Sequence, residues 1–174
     1  MVSSVVLVVL VVCGLVGARP GPELQARVDK LEQDNDVLAK SRVAFSAGLS
    51  SNMEWETTGP FDVDTVLKFQ RVVTNIGNGY DPETGIFTAP VKGLYFVHLT
   101  GMAGSSGELN AGVKKDTENM FSIYQKSGTQ ASASNAMTLA LEPGNRLSVH
   151  LWTGNTIVGH GRLTTFTVVL LFPL

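Results

Sequence analysis

The stretch Asn75–Pro90 reads NIGNGYDPETGIFTAP, and after two residues it runs into GLYFVHLTGM, Gly93–Met102. Three Gly, two Pro, two Asn and one Asp crowd its sixteen residues. Asn78-Gly79 and Thr84-Gly85 offer the positive φ that tight reversals need, and Asp81-Pro82 opens a turn with a preset φ. The spacing predicts a corner between two strands, pinned to the core by Tyr80 and Phe87. Pro90 cannot donate to a ladder, so the following strand is expected to begin at Gly93.

Outward from this corner the chain keeps a strand period. The runs are Val43–Leu49, Val66–Val73, Gly85–Pro90, Gly93–Met102, Ala111–Asp116, Met120–Lys126, Ala136–Gly144, Arg146–Trp152 and Thr164–Phe172, separated by Gly, Asn, Asp, Pro and Ser. Short strands punctuated by turn residues predict an antiparallel sandwich. Two strands are apolar on both faces. In Gly93–Met102, Tyr95, Val97 and Leu99 alternate with Leu94, Phe96, His98 and Thr100; in the last run, Phe166, Val168, Leu170 and Phe172 alternate with Val169 and Leu171. A sandwich strand ordinarily keeps one face wet, and a large apolar patch marks an interaction site. The second face is therefore expected to meet another subunit.

The N-terminal part differs. Val5–Val12 is an unbroken apolar run, and Val16-Gly17-Ala18 has the small-x-small form of a signal-peptidase site, so residues 1–18 are expected to be a secretory signal. The lone cysteine, Cys13, would leave with it. About 156 residues would remain, enough for one domain held by its core or by oligomerisation rather than by disulfides. Residues 19–42 read as a breaker-rich linker followed by a helix: Leu24, Val28, Leu31, Asn35 and Leu38 are spaced four, three, four, three, the seam of a short coiled coil. So few heptads are marginal alone, which makes the helix a stalk assisting an assembly driven elsewhere.

The net charge is −2, with no basic run to bind nucleic acid and no Asn-x-Ser/Thr sequon. His98 and His150 fall within strands and His160 in a loop; with Ser132 and Ser134 they form no metal-ligand spacing or nucleophile context. No catalytic, cofactor or metal residue is assigned, and the protein is not expected to be an enzyme. The candidate ligand loop consists of Lys114, Lys115, Asp116 and Glu118, with Arg162 near the last strand.

Phe69, Asn75, Tyr80, Phe87, Gly93 and Tyr95, with VAFSA before them and LEPGNRLSV and TTFTVVLLFP after, resemble the signature of the complement C1q globular-head family over about Val43 to Leu174. Phe166 lies in the matching last strand. Val97 and Leu99 stand where the family usually has aromatics, Val168 where it has Gly, and Asn145 where it has an acidic residue, so no calcium site is carried over. The resemblance implies a ten-strand jelly roll like that of tumour necrosis factor for residues 43–174, assembled as a homotrimer. It also implies a short, collagen-free layout similar to that of the cerebellins. The expected function is secreted recognition of an extracellular ligand, either a microbial surface in innate immunity or, alternatively, a cell-surface receptor.

Overall fold

The structure is a computed structural model in which residues 21–128 and 130–174 are described. The expected signal, residues 1–18, and the first two linker residues lie outside them. The chain divides into two units, one ending at Ala39 and one running from Lys40 to Leu174.

In the first unit, helix α1 spans Pro22–Lys40. Pro22 opens it, where a missing N–H costs nothing, and Glu23 lies in the first turn, where the helix dipole favours a negative charge. Gln25 Nε2 donates to Asp29 Oδ1 one turn on, at 2.8 Å. Leu24, Val28, Leu31 and Leu38 are all exposed on the single chain.

The second unit is a β-sandwich. Its strands are β1 Ala44–Gly48, β2 Thr57–Thr58, β3 Thr65–Val66, β4 Arg71–Ile76, β5 Tyr80–Asp81, β6 Ile86–Thr88, β7 Gly93–Met102, β8 Leu109–Lys115, β9 Glu118–Gln125, β10 Ser132–Leu141, β11 Arg146–Leu151, β12 Ile157–Val158 and β13 Thr165–Pro173. One sheet has the order β10-β7-β13-β1-β4, and the facing one has β5-β6-β11-β8-β9 with β3 also paired to β11; β12 and β2 form a small ribbon. Between the sheets lies one apolar core, in which the rings of Phe45, Phe69, Tyr80, Phe87, Tyr95 and Phe166 interlock. This is the jelly-roll class expected, with thirteen strand segments among the described residues rather than ten, because four of them are two-residue pairings too short to carry a period.

Three local expectations are corrected. The run Val66–Val73 is two strands rather than one: β3 pairs β11 in one sheet, and β4 pairs β1 in the other. Between them Leu67 and Phe69 stay buried while the chain crosses the sandwich, so an apolar run reads as one strand although it changes sheets. In the corner, positive φ falls on Gly77, Asn78 and Gly85 but not on Gly79. Gly79 is required for space, since a Cβ there would lie 2.7 Å from the Phe87 ring. Finally, the β13–β7 register shifts between Leu170 and Phe172. The bulge removes Phe172 from the inner face it was expected to share with Phe166, Val168 and Leu170, and leaves it half exposed.

Candidate functional site

The corner that opens the sequence is a clamp. Asn75 Nδ2 donates to the Tyr80 carbonyl at 2.9 Å, and Asn75 Oδ1 accepts from the Tyr80 N–H at 3.1 Å. Tyr80 therefore enters the core in one orientation and stacks on Phe45, their ring centroids 3.9 Å apart. Its hydroxyl accepts from the Phe69 N–H at 2.8 Å, satisfying the backbone where the chain crosses between sheets. Burial pushes the Tyr80 pKa up to about 12, against the opposing effect of that hydrogen bond. Asp81 caps the turn by accepting from the Thr84 hydroxyl and the Glu83 N–H, both at 2.9 Å, which holds its carboxyl below the ordinary carboxylate value. Gly93 is fixed by packing: a Cβ there would strike the Leu170 side chain and come 2.8 Å from the Phe172 carbonyl. Tyr95 lies in the core, and its hydroxyl donates to the Val91 carbonyl at 2.8 Å. The signature residues are thus structural. Phe45, which sequence reasoning did not single out, sits at the centre of the cluster; its signal was the apolar alternation of VAFSA.

Two surfaces of the head remain. The first is the outer face of the five-stranded sheet. Cross-strand register places Thr138, Phe96, Val169, Ala44 and Ile76 in one row across β10, β7, β13, β1 and β4. Leu94 and Phe172 pair beside that row, and Phe96, Ile76, Leu171 and Phe172 are exposed. The next row is polar: Ala136, His98, Thr167, Ser46 and Thr74. There His98 Nε2 and Ser134 Oγ lie 2.8 Å apart, and Ser46 and Thr167 share a hydroxyl bond of 3.0 Å. The second face of β7 is therefore apolar along half its length and hydroxyl-rich along the rest, a finer division than its sequence alone conveys.

The second surface is the outer face of the sheet that contains β11. Arg146, Ser148 and His150 alternate outward there, while Leu147, Val149 and Leu151 point into the core. Ser148 Oγ and His150 Nε2 are 3.1 Å apart. His150 Nδ1 is buried and has no hydrogen-bond partner among the described residues, a state that costs roughly 1–3 kcal/mol in a folded protein. Burial lowers the His150 pKa below the ordinary imidazole value; the positive charge of Lys114 acts in the same direction and Asp64 opposes it. Asp64 accepts from the Thr153 N–H and hydroxyl, both at 3.0 Å, which holds its own carboxyl low. Trp152 packs against Gly112, where a Cβ would sit 2.7 Å from the indole, and the Lys114 ammonium stands 5.0 Å from the centre of the indole ring.

The predicted ligand loop is not brought together. Lys114 belongs to this outer face, whereas Lys115 turns the other way and donates to the Ala140 carbonyl in the opposite sheet. Asp116, at positive φ, is exposed and accepts from Arg146 N–H and Asn145 Nδ2, each at 3.0 Å. Asn145 is thus a fixed donor to Asp116 rather than a carboxylate. Glu118 is exposed at the start of β9. Arg162 lies at the far end of the sandwich, in a loop where its N–H donates to His160 Nδ1 at 3.1 Å. Arg146, Ser148 and His150 join Lys114 and Asp116 instead; the alternation of RLSVHL was the signal that could have found them. Among the described residues no group of three or more His, Cys, Asp or Glu could hold a metal ion, and no helix is long and apolar enough to cross a membrane.

The C1q domain family model matches residues 44–171. The chain belongs to the C1q domain family. Among curated proteins, this C1q domain chain is 31% identical over 144 residues to one of the human complement C1q subcomponent subunits, covering 79% of this chain and 53% of that protein. It is also 31% identical over 134 residues to complement C1q tumor necrosis factor-related protein 3 of human and mouse, covering 75% of this chain and 52% of theirs. The chain therefore spans about half the length of the curated relatives it matches. Solved structures share the fold at low identity. The globular domain of zebrafish complement 1qA protein matches with a TM-score of 0.58 at 17% identity, covering 76% of this chain and 99% of that one. Murine APRIL matches at 0.58 and 16% identity, covering 75% and 99%. The Eiger tumour necrosis factor of S. frugiperda matches at 0.58 and 14%, covering 77% and 95%. The sandwich is therefore the C1q and tumour-necrosis-factor-like jelly roll.

Proposed function

We propose that this C1q domain protein is a secreted homotrimeric recognition module whose ligand is a microbial surface. The observation that carries the assembly is the apolar row through Phe96 and Val169 with its exposed neighbours Ile76, Leu171 and Phe172, on a sheet face that the head itself leaves uncovered. At about 25 cal/mol per Å² of buried apolar surface, packing three such faces together stabilises the assembly by several kcal/mol before association costs. Helix α1, with Leu24, Val28, Leu31 and Leu38 exposed and Asn35 in the same seam, adds a short coiled-coil stalk to residues 43–174. Three copies repeat every weak contact, so shallow surfaces gain through avidity. That favours repetitive ligands such as a bacterial envelope.

Two measurements test this. Sedimentation of the purified mature chain should give three times the chain mass; a soluble, folded single subunit at micromolar concentration removes the assembly. Binding to intact bacteria should be saturable and fall sharply when the trimer is disrupted. Tight binding to one host-cell receptor with none to bacteria would replace this reading with a cerebellin-like ligand function.

A further inference from the structure

The outer face of β11 holds a hollow of ≈ 300 Å³ whose rim carries Asp116, Thr117 and Arg146 and whose floor is formed by Ser148, His150, Val66 and Ile86. A second, wider hollow of ≈ 500 Å³ lies alongside, between the Gly77–Asp81 corner and Pro90, and the two share Ile86 and Arg146. We propose that these adjoining hollows are a binding site for a neutral, hydroxyl-rich glycan, with one sugar ring in the smaller hollow and the next across Arg146.

The donor and acceptor inventory leads there. The Asp116 carboxylate is held by Arg146 N–H and Asn145 Nδ2, so it is fixed in place while lone pairs remain free to accept. The Arg146 side chain lines the same hollow, and among the described residues no carboxylate lies within ion-pair distance of it. An oxyanion could use Arg146 but is repelled by Asp116, and a cation meets the converse. Neighbouring sugar hydroxyls donate to one and accept from the other in the same pose. On the floor, Ser148 Oγ and His150 Nε2 lie 3.1 Å apart, so these two polar side chains hold each other in place. Val66 and Ile86 offer an apolar floor for the C–H face of a ring. The volume falls at the lower end of small-ligand sites, which suits one ring per hollow.

The inference rests on the microbial-surface reading only for the source of the glycan, which by chemistry alone could also be a host glycoprotein. The test is saturation-transfer NMR on the intact mature chain with methyl α-mannoside, N-acetylglucosamine and their di- and tetrasaccharides, with N-acetylglucosamine 6-sulfate as the anionic counter-probe. At least one neutral series should bind, the disaccharide roughly tenfold tighter than the monosaccharide. Arg146→Ala and Asp116→Asn should each weaken binding roughly tenfold while sedimentation and thermal midpoint stay unchanged. Asn tolerates the left-handed backbone at 116, so the second variant keeps the test valid if the first disturbs the loop. The proposal is overturned if no neutral sugar binds, if only the sulfated probe binds, or if both variants bind as the parent does. Bacteria bound equally by parent and Arg146→Ala, with no competition from sugars, would sink the glycan site and leave the microbial reading standing. Sugar binding that competes with host glycoprotein but not with bacteria would support the site and sink the microbial source.

Discussion

Tyr80 shows how one side chain ties distant parts of the chain together. Its backbone is gripped by Asn75, its ring stacks on Phe45 from β1, and its hydroxyl serves Phe69. Tyr80→Phe leaves the buried Phe69 N–H without its acceptor and is expected to cost roughly 1–3 kcal/mol in denaturant unfolding. The sign of the pH effect follows from the pKa. Ionisation is harder in the folded state, about 12 against 10.0, so the neutral form is favoured by folding. Stability is complete below the ordinary tyrosine value and declines as pH rises through the folded value, by roughly 1–2 kcal/mol once partial solvent screening is allowed for. Unfolding midpoints followed upward through that range should show the decline in the parent and a smaller one in Tyr80→Phe; identical curves would show that Tyr80 does not carry it. Gly93→Ala should be destabilising by roughly 1–3 kcal/mol in the same assay, because the Phe172 carbonyl cannot yield space as a flexible side chain can. At this scale the sequence was informative about the aromatic plugs and marked Asn145 as a departure from the family pattern, but it did not convey what Phe45 and Asn145 do. Their roles lie in a ring cluster and a hydrogen bond formed by residues far apart in the chain.

Among the elements, the long strands were legible and the short ones were not. Gly93–Met102 is a strand over its whole predicted length because ten residues of alternation leave no other period. Thr57–Thr58 and Ile157–Val158 pair only with each other, two residues each, and no pattern can announce that. The bulge at Leu171 turned Phe172 outward, adding apolar surface to the five-stranded sheet where period-two reading had removed it. Phe96→Asp, set in the middle of the apolar row, should give a folded head that sediments as a single subunit. A trimer surviving this change would mean that the assembly uses another face. Helix α1 is expected to matter less: deletion of Pro22–Lys40 should leave cross-linkable trimers with a modestly lower midpoint, since helices of this length are marginal without a partner.

For the whole molecule, the proposed trimer would multiply a contact that one head makes weakly. If an intact trimer binds a repetitive surface, its apparent affinity should exceed that of the Phe96→Asp single subunit by roughly 100-fold or more in surface-plasmon or whole-cell binding. Equal affinities would mean that recognition needs only one head. The sequence by itself determined the class of the fold: strand-period runs, turn residues at set offsets and buried aromatics are local properties, and local sterics and hydrophobic alternation suffice to place them. Only the tertiary structure decided which charged residues share a surface. Lys114 and Lys115 are neighbours in the chain but face opposite sides of β8, while Asp116, just beyond β8, lines one hollow with Arg146 and His150 of β11. Side chains alternate along a strand and strands pair across long intervals, so proximity in sequence carries almost no information about proximity on a sandwich face.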